Sequence, residues 1–164
     1  MKIYFDTNIV SSMIKNDLLE EEINAINHIL NVWDSGEIEI LTSKITKDEL
    51  ENIPHESKNI HLAMYKLIKK VPLIPEARTD SGLTLMGVGG GSREDPLYTR
   101  TKEILEQYDA KHMFQAIKNN MDIFLTADKK VINKNPEISQ LAKIEIVKPT
   151  QLLQILSDKT TTFS

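Results

Sequence analysis

The 164-residue sequence has no cysteine. That excludes disulfides, thiolate zinc sites, iron–sulfur clusters and cysteine nucleophiles, so any metal would have to be held by oxygen or imidazole ligands. No apolar run approaches the length needed to cross a bilayer, so no membrane association is expected. Positive charge is not in excess: 20 Lys and Arg against 24 Asp and Glu leave a net charge of -4. A chain that holds nucleic acid by overall attraction would need a basic face, so here a local patch or bound cations would have to supply it. The first residues, MKIYFDTNIV, set an acid inside the first apolar stretch. They lack the charged region and cleavage site of a signal peptide, and a cytoplasmic protein is expected. A phosphate-cradling Walker loop is missing too, because Gly91 of GVGGGS is followed by Ser92 and Arg93, where Lys and then Ser or Thr are required. With no internal repeat and no dividing linker, residues 1–164 read as one domain.

Hydrophobic residues make up 40% and charged residues 27% of the chain, the balance of a soluble globular protein. Five short β-like runs, Lys2 to Phe5, Ile38 to Leu41, Val71 to Ile74, Ile123 to Thr126 and Ile144 to Val147, alternate with helix-like stretches. This alternation predicts an α/β fold with a mostly parallel, five-stranded sheet between helices. Between the first two runs, Leu18, Leu19, Ile23, Ile26, Ile29, Leu30 and Trp33 recur at steps of three and four, predicting a helix that ends before Gly36. Further helices are expected over Thr46 to Asn52, Ser57 to Lys69, Pro96 to Glu106, Ala110 to Asn119 and Thr150 to Leu156. Asp95 and Asp109 are expected as caps, with Pro96 and Pro149 as opening prolines. The glycine-bearing segment 78–94 has no strong periodicity and reads as a mobile excursion over one end of the sheet.

Four acids stand where this architecture would gather them. Asp6 follows the first run and Asp128 the fourth; in an open parallel sheet, ligands bind outside the carboxyl ends of the strands. Asp109 begins the helix that feeds the fourth strand, and such a helix starts near that same edge. Glu49 lies in a short helix just after the second strand. Each acid has a plainer reading as a cap, a turn former or a solvated helix residue. As a set, however, gathered carboxylates raise one another's pKa unless something neutralises them, and a divalent cation does so. Hard oxygen ligands suit Mg²⁺ or Mn²⁺, and magnesium commonly takes one or two carboxylates while keeping waters and substrate phosphate oxygens.

At this set the sequence resembles the PIN domain, the PilT N-terminal nuclease domain, almost from end to end. IYFDTNIV resembles the family's first motif, an apolar strand ending in Asp, then Thr or Ser and Asn. SKITKDEL, Ser43 to Leu50, is similar to the second, with its helical Glu. DAKHMFQA, Asp109 to Ala116, resembles the third; FLTADKKV, Phe124 to Val131, the fourth; and VKPTQLL, Val147 to Leu153, the closing strand, proline and helix. The resemblance implies a three-layer α/β/α sandwich and metal binding by Asp6, Glu49, Asp109 and Asp128, directly or through water. It makes Asn8 and Thr126 supporting residues that orient carboxylates or water. Two features depart from the family pattern: His112 and Met113 stand where small residues are frequent, and segment 78–94 is longer than in compact bacterial toxins of the family. A lone helical histidine such as His112 reads first as structural or exposed, and second as a phosphate or leaving-group contact.

The expected activity is hydrolysis of RNA phosphodiester bonds. A bound Mg²⁺ or Mn²⁺ would activate water for in-line attack on the phosphodiester, and the resemblance implies a product with a 5′-phosphate and a free 3′-hydroxyl. Lys44, Lys47, Lys129 and Lys130 could supply local positive field for the substrate, although charge runs at helical spacing are usually plain surface. The resemblance admits an antitoxin or a second copy of the chain as protein partner. A catalytically silent PIN-like module that binds RNA or protein is the rival reading. A phosphatase of the haloacid dehalogenase type is disfavoured because Asn8 stands where its general acid, a second Asp, would be needed.

Overall fold

The computed structural model describes residues 1–15, 17–54, 62–80 and 93–161. Four parallel strands, β1 (Lys2–Phe5), β2 (Glu39–Leu41), β3 (Ile123–Leu125) and β4 (Glu145–Val147), form one sheet in the order β2-β1-β3-β4. The register sets Ile3 beside both Ile40 and Ile123, and Phe124 beside Ile146. The helices are α1 (Thr7–Ile14), α2 (Glu20–Asp34), α3 (Lys44–Glu51), α4 (Leu62–Lys69), α5 (Pro96–Ile104), α6 (Gln107–Lys118), α7 (Lys129–Ile132), α8 (Asn135–Ile138) and α9 (Pro149–Thr161).

Alternation along β1 divides the apolar interior. Ile3 and Phe5 point to one face and pack with Ile9 and Met13 of α1, Ile26 and Ile29 of α2 and Leu152 of α9. Tyr4 points to the other face and packs with Met113 and Phe114 of α6, Val131 of α7 and Ile138 of α8. This period-two division of one strand gives the three layers, helices on each side of a buried sheet. The near-continuous apolar strands IFL and EIV are what a doubly covered parallel sheet requires.

Among the described residues the sheet has four strands instead of the expected five. The run Val71 to Ile74 reaches the sheet only through a single parallel bridge between Leu73 and Thr42, in which Thr42 donates to the Pro72 carbonyl and Ile74 donates to the Thr42 carbonyl. Pro72 has no N–H and Pro75 closes the run, so the ladder cannot extend. The helix expected to begin at Ser57 is described only from Leu62 onward; 57–61 lie outside the described residues. The excursion expected over 78–94 also lies largely outside them, but its base is described: Asp80 and Glu94 form an antiparallel bridge, and Asp95 donates to the Thr79 carbonyl. The cap at Asp95 is as expected, its carboxylate accepting from Leu97 N at 2.8 Å ahead of Pro96. Asp109 is not a cap: α6 begins earlier, at Gln107, with Glu106 at the cap position and Asp109 in the first turn.

Candidate active site

The chain leaves β1 toward β2 on one side and later returns to β3 on the other. The carboxyl ends of β1 and β3 therefore flank the point where the strand order reverses, the position at which open α/β sheets form a crevice. Asp6 follows β1 there. Its backbone continues the ladder, donating to the Leu125 carbonyl, before turning into α1. Although Asp6 occupies the cap position of α1, its side chain makes no regular cap. Instead its Oδ2 accepts a 2.7 Å hydrogen bond from the hydroxyl of Thr126, which follows β3. Thr126 Oγ1 in turn accepts from Asp128 N at 3.1 Å, so one buried hydroxyl ties the acids after the two central strands together. The Asp128 side chain caps α7, its Oδ1 accepting from Lys130 N.

Asp6, Thr7, Asn8, Ser11, Glu49, Tyr108, Asp109 and His112 line a cleft of about 260 Å³. Grooves of about 770 Å³ and 750 Å³ elsewhere involve the opposite ends of the strands, around Met1 and Ile38 and around Met1 and Asp122, where no comparable set of acids gathers. Burial raises the Asp6 pKa from its ordinary range, against the opposing pull of the His112 charge and the Thr126 hydrogen bond. Asp109, half-buried, is pushed up to about 6 by burial and by the charges of Asp6 and Asp128. Glu49 behaves oppositely: burial pushes it up, but His112 and Thr7 draw it below its usual value.

His112 is the residue whose importance the sequence understated. It lies three residues beyond Asp109, on the same face of α6, and is buried. Its Nε2 is 3.5 Å from Glu49 Oε2, and its Nδ1 is 2.7 Å from the hydroxyl of Tyr4. That hydroxyl also meets Ser43 Oγ at 2.6 Å, and the Tyr4 ring stacks on Phe124 with centroids 5.1 Å apart. Burial opposes charging His112, but Glu49, Asp6 and Asp109 outweigh it and raise its pKa. The protonated ring can donate from one nitrogen to Tyr4 and present the other to Glu49. The signals for this arrangement were the i, i+3 spacing of Asp109 and His112 and a polar-tipped aromatic in the middle of an apolar strand.

Asn8 is on the cleft wall, its Oδ1 accepting from Ser12 Oγ at 3.1 Å. The lysines divide. Lys129 and Lys130 are exposed at the start of α7, Lys130 reaching Glu106 at 3.7 Å. Lys44 pairs with Asp48 on the surface of α3. Lys47 has a different task from the expected one: its Nζ donates to the carbonyls of Ile68 and Lys69 and so caps the end of α4.

The donors suit a hard divalent cation. The cleft gathers carboxylates, with Asp109 pushed up to about 6 by burial and then by the charges of Asp6 and Asp128, and it contains Thr7 Oγ1, the one buried side-chain polar atom among the described residues with no well-formed hydrogen bond. No three acidic or histidine side chains among the described residues are grouped as ligands of a single ion. One or two carboxylates with water completing the shell is the coordination magnesium favours.

The chain is similar to one solved in the crystal structure of VapBC2 from Rickettsia felis bound to a DNA fragment from its promoter. The match covers 90% of this chain and 98% of that one, with a TM-score of 0.54 and 13% sequence identity. The likeness shows a common fold. No family model and no curated protein matches the chain. Among the described residues no helix is long and apolar enough to cross a membrane.

Proposed function

We propose that the protein is a Mg²⁺- or Mn²⁺-dependent ribonuclease that hydrolyses RNA phosphodiester bonds in the cleft between β1 and β3. The observation that carries this reading is the gathering of Asp6, Glu49 and Asp109 on one cleft at the topological switch point, where the repulsion of Asp6 and Asp128 adds to burial in raising Asp109 to about 6. A scaffold gains nothing from such repulsion, whereas a cation site requires it. When bound, a divalent cation supplies an activated water and neutralises charge at the scissile phosphate. Asp6 and Asp109 are the residues to hold it, with Glu49 and Asp128 acting directly or through water. Thr126 fixes the orientation of Asp6 and the backbone of Asp128. Tyr4 and His112 fix Glu49 from the opposite wall. Lys129 and Lys130 provide positive charge at the rim for the RNA backbone.

The likeness to a chain of VapBC2, crystallised on DNA from its promoter, supports a biological setting for this activity: a nuclease toxin held by an antitoxin partner. An adjacent small gene for a DNA-binding protein supports that setting, and its absence favours a housekeeping or mobile-element nuclease.

The test is cleavage of a mixed-sequence RNA panel with Mg²⁺ or Mn²⁺ by the intact chain and by Asp6→Asn. Cleavage is expected from the intact chain only and is expected to stop on adding EDTA. Activity that persists in EDTA sinks the metal mechanism. If neither protein cleaves and calorimetry detects no divalent-ion binding, the silent RNA- or protein-binding module is the better reading.

A further inference from the structure

Three large hydrophobic side chains among the described residues are conspicuously exposed: Leu19, Leu73 and Tyr108. Leu19 and Leu73 lie away from the carboxylates. Tyr108, at 70% the most exposed, immediately precedes Asp109 on the first turn of α6 and helps to line the acidic cleft. Among the described residues its side chain makes no hydrogen bond, and its ring meets only Lys111, whose Nζ is 5.8 Å from the centroid. The start of α7 lies alongside, since Lys130 reaches Glu106 at the cap of α6. An aromatic ring, two or three lysines and a pair of acids therefore share one rim.

The acids create a problem that the ring can solve. A cleft lined by Asp6, Glu49 and Asp109 repels phosphate until a cation is bound, and the chain as a whole is negative. Attraction of the RNA backbone alone therefore gives weak purchase, and some contact that does not depend on charge must help to hold the strand. Stacking of a base on an exposed aromatic ring is such a contact, and it tolerates any base because every base has a π-face. Only an unpaired base can offer that face, because bases inside a duplex are already stacked.

Building on the nuclease reading, we propose that Tyr108 is a stacking platform for an unpaired base next to the phosphate that reaches the cation site of Asp6 and Asp109. Lys111 and Lys130 flank the platform, where the neighbouring phosphates of a stacked nucleotide would pass.

The experiment uses the full chain and short oligoribonucleotides carrying 2-aminopurine, whose fluorescence is quenched when it stacks. Binding is read with Ca²⁺ in place of Mg²⁺, and cleavage is read separately with Mn²⁺. Tyr108→Ala is expected to remove the quench and weaken single-strand binding about ten- to a hundredfold, whereas Tyr108→Phe keeps both. The same sequence locked in a duplex should be bound equally by wild type and Tyr108→Ala. No quench in the wild type, an equal quench in Tyr108→Ala, or a loss in Tyr108→Phe as large as in Tyr108→Ala overturns the platform. Quenching without cleavage by the wild type overturns the nuclease reading and leaves the platform standing; cleavage that is indifferent to the ring does the reverse.

Discussion

Two buried acids of this chain, Glu22 and Asp6, have opposite surroundings. Glu22 on α2 is met on every side by donors: Thr150 gives it a backbone N–H at 3.0 Å and a hydroxyl at 2.8 Å, and Lys148 an ammonium at 2.8 Å. Burial alone would raise its pKa, but these partners pull it below the ordinary value. It fastens α2 to the start of α9. Asp6 has one side-chain hydroxyl, from Thr126, and lies near other acids, and burial raises its pKa. The first acid is satisfied within the fold and holds it together. The second keeps a raised pKa even against the charge of His112, which suits the cation-holding role proposed for it.

The comparison can be broken by substitution. Asp6→Asn should have the largest effect on activity, abolishing cleavage without lowering the melting temperature, because the amide keeps the shape and removes a buried charge. A large fall in thermal stability would place Asp6 with Glu22 as a structural acid. Thr126→Val, which unties Asp6 from Asp128, should lower kcat about 10- to 100-fold with little change in KM, the scale seen when a group orienting a metal ligand is lost. Steady-state kinetics on one RNA decides it, and an unchanged kcat would mean that the hydroxyl only stabilises the backbone. Glu22→Ala should leave activity per folded molecule intact and destabilise the chain by about 2–3 kcal/mol in urea unfolding, since it strands a charged partner and two donors.

The smallest effect is in pH dependence, and here the two regions differ in sign. Asp109, raised to about 6, binds its proton more tightly in the folded than in the unfolded chain. Its contribution therefore lowers stability as pH rises from near 4 through 6. Glu22, with a lowered pKa, contributes stability that is complete above its ordinary value near 4.5 and is lost as pH falls through the folded value. In metal-free buffer, Asp109→Asn should raise the melting temperature by a few degrees at pH 7.5 and by nothing at pH 4. Glu22→Gln should lower it at pH 7.5 and by progressively less below pH 4. Parallel pH profiles for the two variants would erase the distinction.

What could be read in the sequence follows the same division between local and distant causes. The strands β1, β3 and β4 and the helix α2 were legible because apolar period and turn residues are local. The run Val71 to Ile74 failed as a strand because prolines at 72 and 75 remove donors and limit the backbone. The helix α1 was missed because its eight residues, TNIVSSMI, hold too few apolar positions for a helical period to stand apart from the strand before it. α7 and α8, four residues each, are too short for any period to declare itself. Asp6, Glu49 and Asp109 stood out as a set and do line one cleft, with Asp128 near enough to act on Asp109. Lys47 had no local mark of its real partners, two carbonyls at the end of α4. The place of His112 depends on Tyr4, 108 residues away, and no local pattern could supply that.

The Asp6 to Thr126 hydrogen bond spans 120 positions of sequence. β1 leaves the ribosome well before β3 and the acid that follows it, and contacts this distant in sequence form late. A growing chain therefore carries Asp6 for more than a hundred residues without the strand that completes the cleft. On the proposed nuclease reading, the order of translation is itself a safeguard: the ribosome making the protein and the message being read face an assembled cleft only after β3 has followed β1.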